Sequence, residues 1–186
     1  MVRWEPDSRG RLEQAALALF GELGFEDTTV AAIAERAGVT ERTFFRHFAD
    51  KREVLFGGGT SFQDTIVAGV QAAGPDRSPL EAVAAGFAAA GALLEGRREF
   101  ALARSAIIAA NPGLQERELI KLASIAAAVG ESLRERGVGE PDADLVAELG
   151  VAAFRVAFSQ WVATADAPPL PELIDEAFGR MAALAR

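Results

Sequence analysis

Residues 28–51 read TTVAAIAERAGVTERTFFRHFADK, and this stretch decides the fold. Two short amphipathic helices meet at Gly38. Thr28 or Thr29 caps the first, which runs through Ala37 with Val30, Ile33, Ala34 and Ala37 facing inward. Thr40 caps the second, which runs through Phe48. Its Phe44 and Phe48 lie four apart and point to one core. Glu41, Arg42 and Arg46 then project from the opposite side. This is the layout of a helix-turn-helix, which offers one helix to the DNA major groove.

Upstream, residues 8–23 predict a helix with Leu12, Ala16, Leu19, Phe20 and Leu23 on one face. Gly24 ends it, and Phe25 folds back onto the same core. Downstream, Asp50 and Glu53 form a capping pattern that starts another helix at Lys51. Gly57-Gly58-Gly59 interrupts it, at about 1 kcal/mol per glycine relative to alanine in a helix interior. Two readings stand for these glycines: a hinge between head and body, or a kink or close helix crossing that needs small residues. Further helices are expected over about 79–94, 97–109, 112–137, 143–165 and 171 to the end. Turn signals at Gly74-Pro75-Asp76, Asn111-Pro112, Gly139 to Asp142 and Ala167-Pro168-Pro169 separate them. No segment alternates in the manner of a strand. The expected fold is all-α with about nine helices. Residues 1–50 form a three-helix helix-turn-helix DNA-binding domain, and residues 51–186 a helical ligand-binding and dimerisation domain.

Composition narrows the chemistry. The 186 residues include no cysteine, no tyrosine and one histidine. Disulfides, thiolate metal sites, thiol nucleophiles and multi-histidine metal sites are therefore excluded. His47 falls in the head, so no Ser/His/Asp set assembles in the body, and neither an enzyme nor a bound cofactor is expected. The start, MVRWEPD, carries no apolar signal region. The longest uncharged apolar run, Ala82 to Leu94, has 13 residues and suits a buried helix better than a membrane span. A cytoplasmic protein is expected. The net charge is −8, yet Arg36 to Arg52 carries five Lys/Arg against Glu41 and Asp50, while Ser61 onward carries 11 basic and 17 acidic residues. A basic patch on an acidic body suits contact with phosphates at one end.

Within the body, the helix over 143–165 is apolar on two opposite sides. Leu145, Leu149, Ala152 and Val156 form one stripe; Val151, Phe154, Phe158 and Trp161 form the other. A helix apolar on both sides must be covered on both. The last helix offers Leu173, Ile174, Ala177, Phe178, Met181 and Leu184. Two such helices from each of two chains would make a four-helix interface, with Ile174, Phe178 and Met181 joining the first stripe at the dimer contact. The alternative is that both stripes are internal core. Candidate walls of a ligand pocket are Phe62, Ile66, Phe87, Phe100, Ile107 and Ile108, together with Leu122, Phe154, Phe158 and Trp161; the same residues also read as plain core. Arg104, in an otherwise apolar helix, is either an anchor for an anionic ligand or half of an ion pair.

Residues 15–55, AALALFGELGFEDTTVAAIAERAGVTERTFFRHFADKREVL, resemble the TetR family of bacterial transcriptional regulators in spacing, in the turn and in the start of the following helix. The resemblance implies a homodimeric repressor that leaves its DNA operator when a small, largely apolar molecule enters the body. It implies that Thr29 meets a phosphate and that Thr40 and Thr43 make backbone or base contacts. Glu41, Arg42 and Arg46 are the base readers, since arginine suits guanine and a carboxylate accepts from cytosine N4. His47 either donates to a phosphate or packs at the helix end. Lys51, with the first amides of the next helix, holds another phosphate. Phe45 departs from the pattern. Many relatives carry tyrosine there, whose hydroxyl meets a phosphate, whereas phenylalanine makes only apolar contact, as with a thymine methyl. The competing expectation is a helical small-molecule carrier or interaction protein without specific DNA binding.

Overall fold

The structure, a computed structural model, describes residues 7–57 and 59–184 and is all-helical over them. The ten helices are α1 Ser8–Leu23, α2 Val30–Arg36, α3 Glu41–His47, α4 Glu53–Phe56, α5 Gly59–Ala72, α6 Pro79–Glu95, α7 Arg98–Ala109, α8 Pro112–Glu135, α9 Asp142–Ala163 and α10 Leu170–Leu184. They divide between two compact units. The first comprises the described residues of Met1–Gly58 together with Glu99–Glu118, and the second Gly59–Arg98 together with Leu119–Arg186.

In the first unit the local chemistry matches the expected motif. Thr29 accepts from the amide of Ala32, and Thr40 from that of Thr43, so each caps its helix. Thr28 is buried instead, donating to the carbonyls of Leu19 and Gly24. Gly38 takes φ 66°, a left-handed turn that suits glycine. Leu12, Leu19, Phe20, Ile33, Phe44 and Phe48 build the centre of the core. Phe25 does return to it, 5.0 Å from Phe20. Leu23 does not: at the last turn of α1 it is 51% exposed.

The boundary expected at residue 50 differs from the compact unit, which continues past α4 and also takes in α7 and the start of α8. The reason is packing. Val54, Leu55 and Phe56 of α4 join the head's core, and so do Ile107, Ile108 and Leu114. Arg104 and Arg117 both lie against the Phe56 ring, 4.9 and 5.7 Å from its centroid. Arg104 also donates to the Leu55 carbonyl and pairs with Glu118, while Arg117 pairs with Glu53.

The helix expected from Lys51 is two helices, α4 and α5. Gly58 lies outside the described residues, so the hinge-or-kink alternatives are addressed only at Gly57. There a Cβ would lie 2.7 Å from the Glu53 carbonyl oxygen and 2.9 Å from the Arg9 guanidinium. Close approach, not backbone freedom, requires the small residue at this point.

The second unit packs α6 against α5, α9 and α10. Ser78 and Glu81 form a complete capping box at the start of α6. The bond from the Ser78 hydroxyl is the main cause holding the Glu81 carboxyl below its usual range. Helices α5 and α6 approach through glycine: a Cβ on Gly86 would sit 2.5 Å from the Ile66 carbonyl oxygen. Helix α9 is long and apolar enough by composition to cross a bilayer; in this unit its inner face carries Val151, Phe154 and Trp161 into the core.

Two glycines give opposite expectations. Gly86→Ala should lower stability by about 1–3 kcal/mol through overpacking of the α5–α6 crossing. Gly21→Ala, on the exposed side of α1 with nothing within 4 Å of its Cβ, should raise it by about 0.5–1 kcal/mol. Urea denaturation measures both, and equal midpoints for the two variants would contradict the packing described.

Candidate nucleic-acid interface

Helix α3 is held by its inner face. Phe44 is fully buried, Phe48 at the C-cap is 3% exposed, and their rings lie 5.4 Å apart. At 100° per residue this turns Glu41, Phe45, Arg42 and Arg46 to the outside, and all four are exposed. Thr40 is exposed at the N-cap, with its hydroxyl 3.1 Å from that of Thr43, which is half-buried. Thr29, the α2 cap, is exposed as well.

The five cations expected to make a basic patch divide sharply. Arg36 makes a two-pronged pair with Glu22 at 2.8 and 2.9 Å, and those hydrogen bonds are the main cause holding the Glu22 carboxyl below its usual range. Arg52 pairs with Asp50 at 2.8 Å. Lys51 is engaged inside the unit, as described next. Arg42 and Arg46 have no ion-pair or hydrogen-bond partner among the described residues. The two free cations are therefore the two on the exposed side of α3.

Lys51 is held within the first unit. Its ammonium donates to the carbonyls of Phe25, Glu26 and Thr28 at 2.7, 2.9 and 3.0 Å. It also sits 4.5 Å from the centroid of the Phe25 ring. An ammonium has three N–H donors, and all three are occupied in fastening the α1–α2 loop. The amides that were to assist it are also occupied: those of Arg52 and Glu53 donate to the Asp50 carboxylate. His47 packs at the helix end, half-buried, with its Nε2 2.8 Å from the Ser8 hydroxyl. An open cleft of about 380 Å³ beside Lys51 is lined by Phe25, Asp50, Arg52 and the Asn111–Leu114 turn, and its basic groups are the ones already paired.

The residues proposed for a ligand pocket separate. Phe62, Phe87, Phe154, Phe158 and Trp161 form a continuous run in the second unit, with successive ring contacts of 5.2 to 5.7 Å. Ile66 is buried in the same unit, and Leu122 is half-buried. Arg104, Ile107 and Ile108 fall in the first unit, with the rest of Glu99–Glu118. Ile107 and Ile108 are core there. Arg104 is ion-paired: its guanidinium donates to the Glu118 carboxylate and to the Leu55 carbonyl.

The dimer stripe separates likewise. On α9, Leu145 and Val156 are 58% and 54% exposed, Ala152 is exposed and Leu149 half-buried. On α10, Ile174 and Phe178 are buried against the unit's own interior, and Met181 is half-buried. Phe178 lies 6.5 Å from Phe87, and the Ile174 side chain meets Gly91 of α6. Ile174 and Phe178 thus turn into the unit, where α10 packs on α6 and α9, while Leu184 at its end is 88% exposed. The sequence showed that the stripe existed, but not which helix would meet it.

Comparisons with known proteins cover both ends of the chain. The family model described as bacterial regulatory proteins, tetR family, matches residues 13–56, and a model of the MftR C-terminal domain matches residues 77–185. The chain is 30% identical over 169 residues to the HTH-type transcriptional regulator TcmR of Streptomyces glaucescens, covering 86% of this chain and 75% of that one. Among solved structures, a transcriptional regulator from Rhodococcus sp. Rha1 is 27% identical with a TM-score of 0.56, covering 94% of this chain and 95% of that one. The FadR repressor of Thermus thermophilus, solved with lauroyl-CoA, is 23% identical with a TM-score of 0.58, covering 94% and 93%, and shares the fold.

Replacing Lys51 by Met should lower stability by about 1–3 kcal/mol, the range for losing hydrogen bonds made by a charged donor. Chemical denaturation checks this. An unchanged midpoint would mean that the three carbonyl contacts hold nothing together.

Proposed function

We infer the mode of action from one premise: this chain belongs to the tetR family of bacterial regulatory proteins. It is a sequence-specific DNA-binding transcriptional regulator, and the DNA-binding unit is the helix-turn-helix of α2 and α3. The observation that carries the assignment of roles is the pair of unpaired, exposed guanidiniums of Arg42 and Arg46 on α3. In the major groove each can donate two bonds to guanine O6 and N7, and Glu41 can accept from cytosine N4. Thr29, Thr40 and Thr43 set the depth of α3 by contacts to phosphate. Lys51 and His47 act behind them, by holding the α1–α2 loop and the end of α3. The protein works in the cytoplasm, without catalysis.

The chain acts as a homodimer, because two recognition helices about 34 Å apart read two half-sites. Exposed Leu145, Ala152 and Val156 on α9, with half-buried Leu149, supply the apolar strip for that contact. The effector is a small, mainly apolar molecule received by the aromatic run of the second unit. The indole N–H of Trp161 is buried and has no acceptor among the described residues; a ligand oxygen would satisfy it. The FadR structure of similar fold was solved with lauroyl-CoA, whose acyl chain is apolar although its CoA part is charged. The effector releases DNA by binding more tightly to an arrangement in which the two α3 helices no longer match successive grooves.

Two measurements test these assignments. Arg46→Ala should weaken binding to DNA flanking the protein's own gene by about 1–3 kcal/mol without unfolding the protein; equal affinity would remove Arg46 from base reading. Val156→Glu should convert the dimer to monomer in sedimentation at micromolar concentration, since an unpaired charge at an apolar interface is strongly disfavoured. A variant that remains dimeric would move the interface elsewhere.

A further inference from the structure

Among the exposed residues of α3, Phe45 alone has no polar group. Its neighbours Phe44 and Phe48 are consumed by the core, whereas Phe45 is 55% exposed. Around the helix it falls between Glu41 and Arg42, inside an arc of about 140° that ends at Arg46. The ring is not loose: it meets the buried Phe44 ring edge-on at 5.5 Å, so its direction is set from below. Phe45 thus stands among the groups best placed to face base edges, braced against the core.

A phenyl ring can neither donate to a phosphate nor bond a base edge. The major groove offers it one apolar feature, the C5-methyl group of a pyrimidine; the other groups exposed there are donors and acceptors. We propose that Phe45 reads a pyrimidine C5-methyl in each half-site, that of thymine or of a C5-methylated cytosine. This rests on the DNA-binding roles given above to α3. It divides the labour on the helix: Arg42 and Arg46 discriminate through charge-assisted bonds that depend on salt, and Phe45 discriminates through apolar contact that does not carry a charge.

The test begins with full-length protein selecting duplexes from a randomised library. In the selected site, each thymine is replaced singly by deoxyuridine, which pairs identically and lacks only the methyl. One position per half-site should lose about fourfold in affinity, the worth of one buried methyl. F45A, whose fold is checked by circular dichroism, should bind the thymine site more weakly than wild type and no longer distinguish thymine from uracil there. If no thymine responds, single dC positions are replaced by 5-methyl-dC; a gain for wild type that F45A lacks places the methyl on cytosine. The proposal is overturned if wild type ignores every methyl removed or added, or if F45A keeps the same methyl dependence. Failure to select any sequence would overturn the DNA-reading roles themselves, and this inference with them.

Discussion

Burial of Phe44 and Phe48 fixes the rotational setting of α3, and the rest of the interface depends on it. The helix is only seven residues long, too short to be stable alone in water. It exists because two rings on one side enter a core built by α1 and α2. Once those rings are seated, the helical repeat leaves no choice about Glu41, Phe45, Arg42 and Arg46: they must face out. The threonine caps and the Gly38 turn act in the same direction by fixing where each helix starts. Affinity for a duplex is thus a by-product of where a few apolar side chains go.

A second constraint extends the head beyond its motif. Phe56 is held between the guanidiniums of Arg104 and Arg117, and each guanidinium is tied to a carboxylate. Buried or half-buried charge of this kind is tolerated because it is paired. The consequence is that α7 and the first turns of α8 are part of the framework that supports α4. The MftR-type match begins at residue 77, so the segment that completes the head's packing lies within a region whose sequence kinship runs with the body.

Much of this was legible because it is local. The bounds of α1, the caps at Thr29 and Thr40, the turn at Gly38 and the inward pair Phe44/Phe48 all follow from spacing within a few residues. What escaped was the choice of partner. An amphipathic stripe such as that of α10 states that it will be covered, not by which helix, and here α6 and α9 cover it. Ile107 and Ile108 read equally as pocket or core, and tertiary packing decided for core. Arg104 needed a partner, and Glu118 and the Leu55 carbonyl were available only once α4, α7 and α8 had met. Lys51 was hardest of all. A lysine after a recognition helix looks the same whether its amine meets a phosphate or three backbone carbonyls.

That amine has a practical corollary. The chain has two lysines, Lys51 and Lys121, and the first has its nitrogen enclosed by carbonyl acceptors. Acylation of Lys51 would compete with the carbonyl bonds by which it fastens the loop. Tethering the protein to a sensor surface by amine coupling will therefore proceed through Lys121 or the N-terminal amine, and it leaves α3, which contains no lysine, chemically unmarked.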